Sequence, residues 1–104
     1  MARPPNRSSQ TRKVLAALLE QPAAWRHGYD LSKQTHLPSG TLYPILIRLA
    51  EQGLLEETWE ANETPGRPPR HSYRLTASGA ATARDVAREE RATLRRLQPS
   101  RATR

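Results

Sequence analysis

Between Pro38 and Gly53, Leu42, Ile45, Leu46 and Leu49 recur at i, i+3, i+4 and i+7. That spacing places all four on one stripe of an α-helix running from about Ser39 to Gln52. Gly53 supplies the stop, because glycine takes the left-handed conformation that closes a helix. Just before it, GYDLSKQT at 28–35 reads as a shorter helix with limited apolar surface around Tyr29, Asp30 and Leu31, halted at His36-Leu37-Pro38. Two helices joined by three or four residues, the second with one apolar face, form the helix-turn-helix pattern.

The flanking segments extend that pattern. Ser9 to about Glu20 carries Val14, Leu15, Leu18 and Leu19 on one helical face, with Ser8, Ser9 or Thr11 as cap and Gln21-Pro22 as the end. Residues 54–60 (LLEETWE) and 70–76 (RHSYRLT) alternate with period two, as strands do. Between them, ANETPGRPP is too polar and too rich in proline for anything but a loop. The predicted fold is α+β, mostly α: a winged helix-turn-helix of three helices and a two-stranded β wing, plus a C-terminal helix. The predicted division is a basic arm over 1–8, a DNA-binding winged helix over 9–76, a dimerisation helix over 77–97 capped by Thr76 or Ser78, and a tail over 98–104. The last helix has a thin heptad-like seam of Ala80, Ala83, Ala87, Leu94 and Leu97, interrupted by Glu90. A helix this weakly amphipathic does not hold alone. Packing on a second copy would stabilise it, so a homodimer is expected.

Composition narrows the function. The chain has 104 residues and a net charge of +7, and 15 of its 17 cations are arginine. Arginine's planar fork matches phosphates and guanine edges, and such a charge suits a polyanion. Apolar content is 36%, so part of the chain must be solvated or completed by a partner. Cysteine is absent, which removes disulfide and thiolate chemistry. No apolar run is long enough for a membrane span or a secretion signal, and a cytoplasmic location is expected. His27, His36 and His71 lack the close spacing of a metal pair. No carboxylate pair flanks a nucleophile and no phosphate-cradling glycine loop is present. The chain is therefore expected to be no enzyme and to need no cofactor or metal.

The pattern also nominates contact residues. With Leu42 facing inward, Gly40, Pro44, Ile47, Arg48 and Glu51 face outward, and Thr41 and Tyr43 lie on the flanks. A reading helix contacts bases mainly from its N-terminal half. Gly40 admits close approach of a backbone, and Ser39 and Thr41 can donate to phosphates or base edges. Tyr43 can bring its hydroxyl to a phosphate while its ring supports the helix. Ile47 either meets a thymine methyl or packs on the second helix or the wing. Arg48 either reaches guanine or phosphate, or pairs with Glu51 or Glu56. Arg67 and Arg70, in the loop run Gly66-Arg67-Pro68-Pro69-Arg70, suit a narrow minor groove, against the alternative of a rigid solvated turn. Lys33 and Gln34, with Arg12 and Lys13, are phosphate candidates.

HGYDL at 27–31, SGTLYPILIRLAEQGLL at 39–55 and YRLTASG at 73–79 together resemble the PadR-like family of winged-helix transcriptional regulators. The resemblance covers roughly residues 12–80. It implies a DNA-binding regulator, dimeric through its last helix, that represses a nearby promoter. The single C-terminal helix resembles the short subgroup of that family. Some relatives line a dimer pore with tryptophan from this helix, whereas Ala77 to Leu97 contains no aromatic residue. No residue pattern points to a particular small-molecule effector. Two other functions fit the same residues: a winged helix that binds an acidic protein partner, and a phage or plasmid architectural factor that bends DNA.

Overall fold

Helix α1 (Ser9–Leu19) opens the computed structural model, which describes residues 8–97. The expected tail, and all of the expected arm except Ser8, lie outside the described residues. Ser8 is the cap. Its Oγ accepts from the Thr11 N–H at 3.2 Å and donates to Thr11 Oγ1 at 2.8 Å. Side-chain capping of this kind stabilises a helix by about 1 kcal/mol. Thr11, Val14, Leu15, Ala17 and Leu18 form the buried face, and Leu19 is only partly covered.

A two-residue strand β1 (Arg26–His27) follows, which the sequence pattern does not predict. It pairs antiparallel with β3 (Arg70–Leu75), Arg26 opposite Tyr73 and His27 opposite Ser72. Strand β2 (Leu55–Glu60) pairs on the other side of β3, in register from Leu55–Leu75 to Glu60–Arg70. The sheet therefore has three strands in the order β1-β3-β2, where two were expected. Two residues carry no readable periodicity; the strand exists because β3 offers it a ladder. As the central strand, β3 buries both Ser72 and Tyr73, which strict alternation would have placed on opposite sides of the wing.

The two helices of the helix-turn-helix fall where the sequence places them. Helix α2 (Gly28–Thr35) ends at His36, which adopts φ 62°. The turn is held by side chains. Thr35 Oγ1 donates to the Leu31 carbonyl (2.7 Å) and accepts from the Leu37 N–H (3.3 Å), and Ser32 Oγ donates to the Leu37 carbonyl (2.6 Å). Helix α3 (Ser39–Glu51) starts on Pro38, whose carbonyl accepts from the Thr41 and Leu42 N–H groups. It closes with Gly53 at φ 77°, where Leu54 N–H bonds the Leu49 carbonyl and Gly53 N–H bonds the Ala50 carbonyl. This is a Schellman motif, and it satisfies carbonyls that the helix end would orphan.

Helix α4 (Ala77–Leu97) is capped by Thr76, whose Oγ1 accepts from Gly79 N–H (2.9 Å) and donates to the Gly53 carbonyl (2.8 Å). It packs on α1, with Gly79, Ala83 and Val86 buried along its first half, and Arg12 meets Glu90 at 3.8 Å. The expected dimer seam is thereby corrected. Ala83 is buried in the chain's own core and so is not open to a second copy, while Ala80 packs against that core but stays partly exposed. Ala87 is half-buried, while Leu94 and Leu97 are 56% and 75% exposed. The core joins Leu31, Leu42, Leu46 and Leu49 to α1, Tyr73, Leu75 and α4. Among the described residues, no helix is long and apolar enough to cross a membrane.

Candidate nucleic-acid interface

The helical phase read from the sequence holds for α3. Leu42, Ile45, Leu46 and Leu49 are buried; Ser39, Gly40, Pro44, Ile47 and Arg48 are exposed, and Thr41 is half-buried. Ile47 is 52% exposed, so neither α2 nor the wing covers it. Exposing a β-branched apolar side chain forgoes part of the roughly 1.5–3 kcal/mol that burial provides. Arg48 forms no ion pair among the described residues. Glu56, one of the two partners expected for it, instead accepts from Arg74 at 3.0 Å, and the Arg74 guanidinium lies over the Trp25 ring at 4.2 Å. Pro44 has no N–H to offer the Gly40 carbonyl, its usual i−4 acceptor, so that carbonyl is left for other donors on the exposed face.

Tyr43 is 37% exposed, and its ring is seated against α2. A Cβ added at Gly28 would lie 2.7 Å from Tyr43 Cζ, so any larger residue there would push the phenol ring off its present seat on α2. The ring also tilts toward Tyr73, with centroids 6.5 Å apart. Tyr43 is thus the rim aromatic, and its hydroxyl lies beside Gly28 at the start of α2. On α2, the Lys33 ammonium sits 5.3 Å from the exposed Tyr29 ring. Gln34 is differently placed: its amide oxygen accepts from Arg26 and its nitrogen donates to Glu20 (2.8 Å). Both ends of that amide are engaged within the chain, which argues against Gln34 as a phosphate ligand.

Across from α2 and α3 stands the wing loop. Thr64 to Arg67 forms a turn with Pro65 and Gly66 in the middle, Gly66 at φ 84°, and Arg67 N–H bonded to the Thr64 carbonyl at 3.2 Å. Proline then positive-φ glycine is the type II pattern. Asn62 braces the loop by accepting from Thr64 N–H (2.9 Å) and donating to the Pro68 carbonyl (3.4 Å). Arg67 and Arg70 are exposed and form no ion pair among the described residues. Between wing and helices lies a crevice of about 520 Å³, lined by Tyr29 and Tyr43 on one side and Asn62, Arg67, Arg70 and His71 on the other.

The acids near this crevice already have partners. Glu60 accepts from Ser72 Oγ (3.0 Å) and faces His27 Nε2 (3.2 Å). The Ser72 bond first, and His27 second, hold its carboxyl below the ordinary range. Glu57 meets His71 Nε2 at 2.9 Å. The His71 ring stacks on exposed Trp59 (4.3 Å, 11°), and its Nδ1 lies 3.0 Å from the Tyr73 hydroxyl. Burial above all, then the neighbouring Tyr43 and Glu57, push that hydroxyl up to about 12. Sequence reading gave no role to His27, Gly28, Tyr29, Asn62 or His71, all of which line the crevice. HGYDL was visible as a string, but the crossing of Tyr43 over Gly28 and the fold of the wing onto His27 are long-range facts.

Comparison with known proteins bears on this surface. The model of the transcriptional regulator PadR-like family matches residues 14–85. A PadR family transcriptional regulator from Eggerthella lenta is 31% identical, over 81% of this chain and 76% of that one, with a TM-score of 0.68. A PadR family regulator from Clostridium difficile shares the fold at 24% identity, covering 83% and 93% of the two chains, TM-score 0.69. A MarR family regulator from Silicibacter pomeroyi shares it at 24% identity over 85% and 57%, TM-score 0.63. No curated protein sequence matches.

Proposed function

Since the chain belongs to the PadR-like family of transcriptional regulators, we propose that it acts by binding double-stranded DNA as a homodimer and represses the promoter it occupies. The observation that carries this reading is the open outer face of α3 together with the exposed wing arginines, with Tyr43 of α3 lining the same crevice as Arg67 and Arg70. The N-terminal half of α3 offers Ser39, Gly40, Thr41, Tyr43 and Pro44, then Ile47 and Arg48. On the wing stand Arg67 and Arg70, with no ion pair among the described residues to neutralise them. α3 reads base edges in the major groove, while the wing arginines enter the flanking minor groove. Lys33 adds a phosphate contact. The uncovered end of α4 supports the dimer, with Leu94 and Leu97 as its contact residues. Two-fold symmetry then implies an inverted repeat with half-sites about one helical turn apart, or a multiple of that.

Two substitutions separate the wing from the reading helix. Arg67→Ala removes a charge, so affinity falls, preference for A·T-rich flanks flattens, and the log–log salt slope drops by about 1. Ile47→Ala removes apolar surface only, so the slope stays and discrimination at one thymine is lost. Replacing that thymine with uracil abolishes the difference between the parent and the Ile47→Ala protein. Fluorescence anisotropy on a footprinted operator measures both effects. An Arg67→Ala protein with unchanged affinity and flank preference would reduce the wing to a passive turn.

The dimer has its own test. Leu94→Glu combined with Leu97→Glu leaves the buried residues of α4 intact, so each chain still folds. Sedimentation is expected to show two chains for the parent and one for the variant, with much weaker operator binding. A double variant that still dimerises places the interface elsewhere.

A further inference from the structure

We propose that His27 is a proton-dependent positioning residue of the crevice between α2 and the wing, and that it tightens DNA binding as the pH falls. The proposal rests on the DNA-binding reading above. His27 closes β1 and immediately precedes α2, so it sits where the helix pair meets the wing. Its ring stands between carboxylates from two different elements. Nδ1 faces Asp30 Oδ2, in the first turn of α2, at 3.6 Å; Nε2 faces Glu60 Oε1, at the end of β2, at 3.2 Å. Neutral imidazole has one N–H and one lone pair. It can serve one of these acceptors and must present a lone pair to the other. The imidazolium serves both, tying the start of α2 to the base of the wing.

His71, on the opposite wall, has different company. Its Nε2 faces Glu57 (2.9 Å), but its Nδ1 faces the Tyr73 hydroxyl (3.0 Å), which can donate. A neutral ring with the proton on Nε2 satisfies both partners, and with a second proton on Nδ1 the Tyr73 hydroxyl can turn to accept from it. Two histidines therefore line one crevice, and His27 is the one whose ring stands between carboxylates of two different elements.

The sign follows from the charges around His27. Asp30 comes from α2, Glu60 from β2, and Arg70 from β3 opposite Glu60; Arg67 projects from the loop, and Tyr29 and Tyr43 contribute uncharged phenols from α2 and α3. With Glu57 beside His71 and Glu63 at the base of the wing, four carboxylates stand around two guanidinium groups, and a proton on His27 makes this region one unit less negative. A DNA phosphate favours the charged state, and by linkage the charged state favours DNA. One added charge a few ångströms from a phosphate changes affinity by about fivefold per subunit in water-like dielectric.

The test measures operator affinity at fixed salt between about pH 5.5 and 8.5, the range in which histidine ordinarily changes charge. The parent protein is expected to bind about fivefold more tightly per subunit at the acid end. His27→Gln should be nearly flat and stay at the weaker level, and Glu60→Gln should lessen the slope by removing one of the two acceptors. His71→Gln should leave the His27-dependent part of the slope in place whatever its affinity. Imidazole ¹⁵N spectra of the free protein add a readout independent of DNA. On acidification the His27 ring, assigned by its loss in His27→Gln, should show two protonated nitrogens. A His27→Gln protein with the parent's slope overturns the proposal, as does a His27 ring that stays neutral at the acid end. Absence of operator binding at every pH overturns the DNA reading itself, and the spectra then decide whether the His27 bridge forms.

Discussion

Gly79→Ala is expected to destabilise the fold by about 3 kcal/mol, the upper end of what overpacking a tight interior costs. Gly79 lies in the first turn of α4, and a Cβ there would sit 2.8 Å from the backbone carbon of Leu54 and closer still to its oxygen. That oxygen accepts from the Thr76 N–H at 3.0 Å, and Thr76 caps α4, so the helix start and the entry to β2 meet at one point. Backbone cannot swing aside as a side-chain tip can. In a domain of this size the loss lowers the melting temperature by roughly 12–24 °C. Gly40→Ala is the control, since nothing lies within 4 Å of its added Cβ. Thermal denaturation of both proteins decides the matter. A Gly79→Ala protein that melts within a few degrees of the parent would show that α4 can shift off Leu54.

Operator affinity is expected to fall by about 10³–10⁵ between 50 and 200 mM salt, if the dimer makes roughly 6–10 phosphate contacts. The chain's net charge of +7 motivates the size of this effect. The structure indicates where contacts arise: Arg67 and Arg70 stand on the wing without ion pairs among the described residues, and Arg48 stands likewise on α3. Other cations contribute less. Arg12 meets Glu90, Arg74 meets Glu56, and Arg88 meets Asp85. Binding isotherms at several salt concentrations give the slope directly. A slope near zero would mean that phosphates are not the partner and that the basic surface serves another purpose.

The helices were legible because their punctuation is local. Pro22, Pro38 and Gly53 mark ends, and the stripe Leu42–Ile45–Leu46–Leu49 fixes the phase of α3 without reference to anything else. β1 was not legible, because Arg26 and His27 become a strand only through Tyr73 and Ser72 across the sheet. Nor was the inward side of α4. With alanines at 80, 81, 83 and 87, hydropathy barely distinguishes its faces, and the seam was phased without Gly79 and Val86, which point into the core. The exposed face of the candidate site was readable from α3 alone. Its other wall was only partly so: the wing arginines stand out in a proline-rich loop, whereas His27 and Gly28 acquire their positions from Glu60 and Tyr43, far away in sequence.

The bare end of α4 ties the shape of the protein to how much of it is present. Residues 88–97 are about three turns long, almost wholly uncovered in one chain, and an isolated helix that short is marginal in water. In the proposed homodimer these turns gain their cover as two chains meet. Dimer formation then grows with the square of the chain concentration at low abundance, and operator occupancy grows with it. A cell that doubles its supply of the chain would gain close to four times the binding-competent species, so a small rise in expression becomes a sharp change at the promoter.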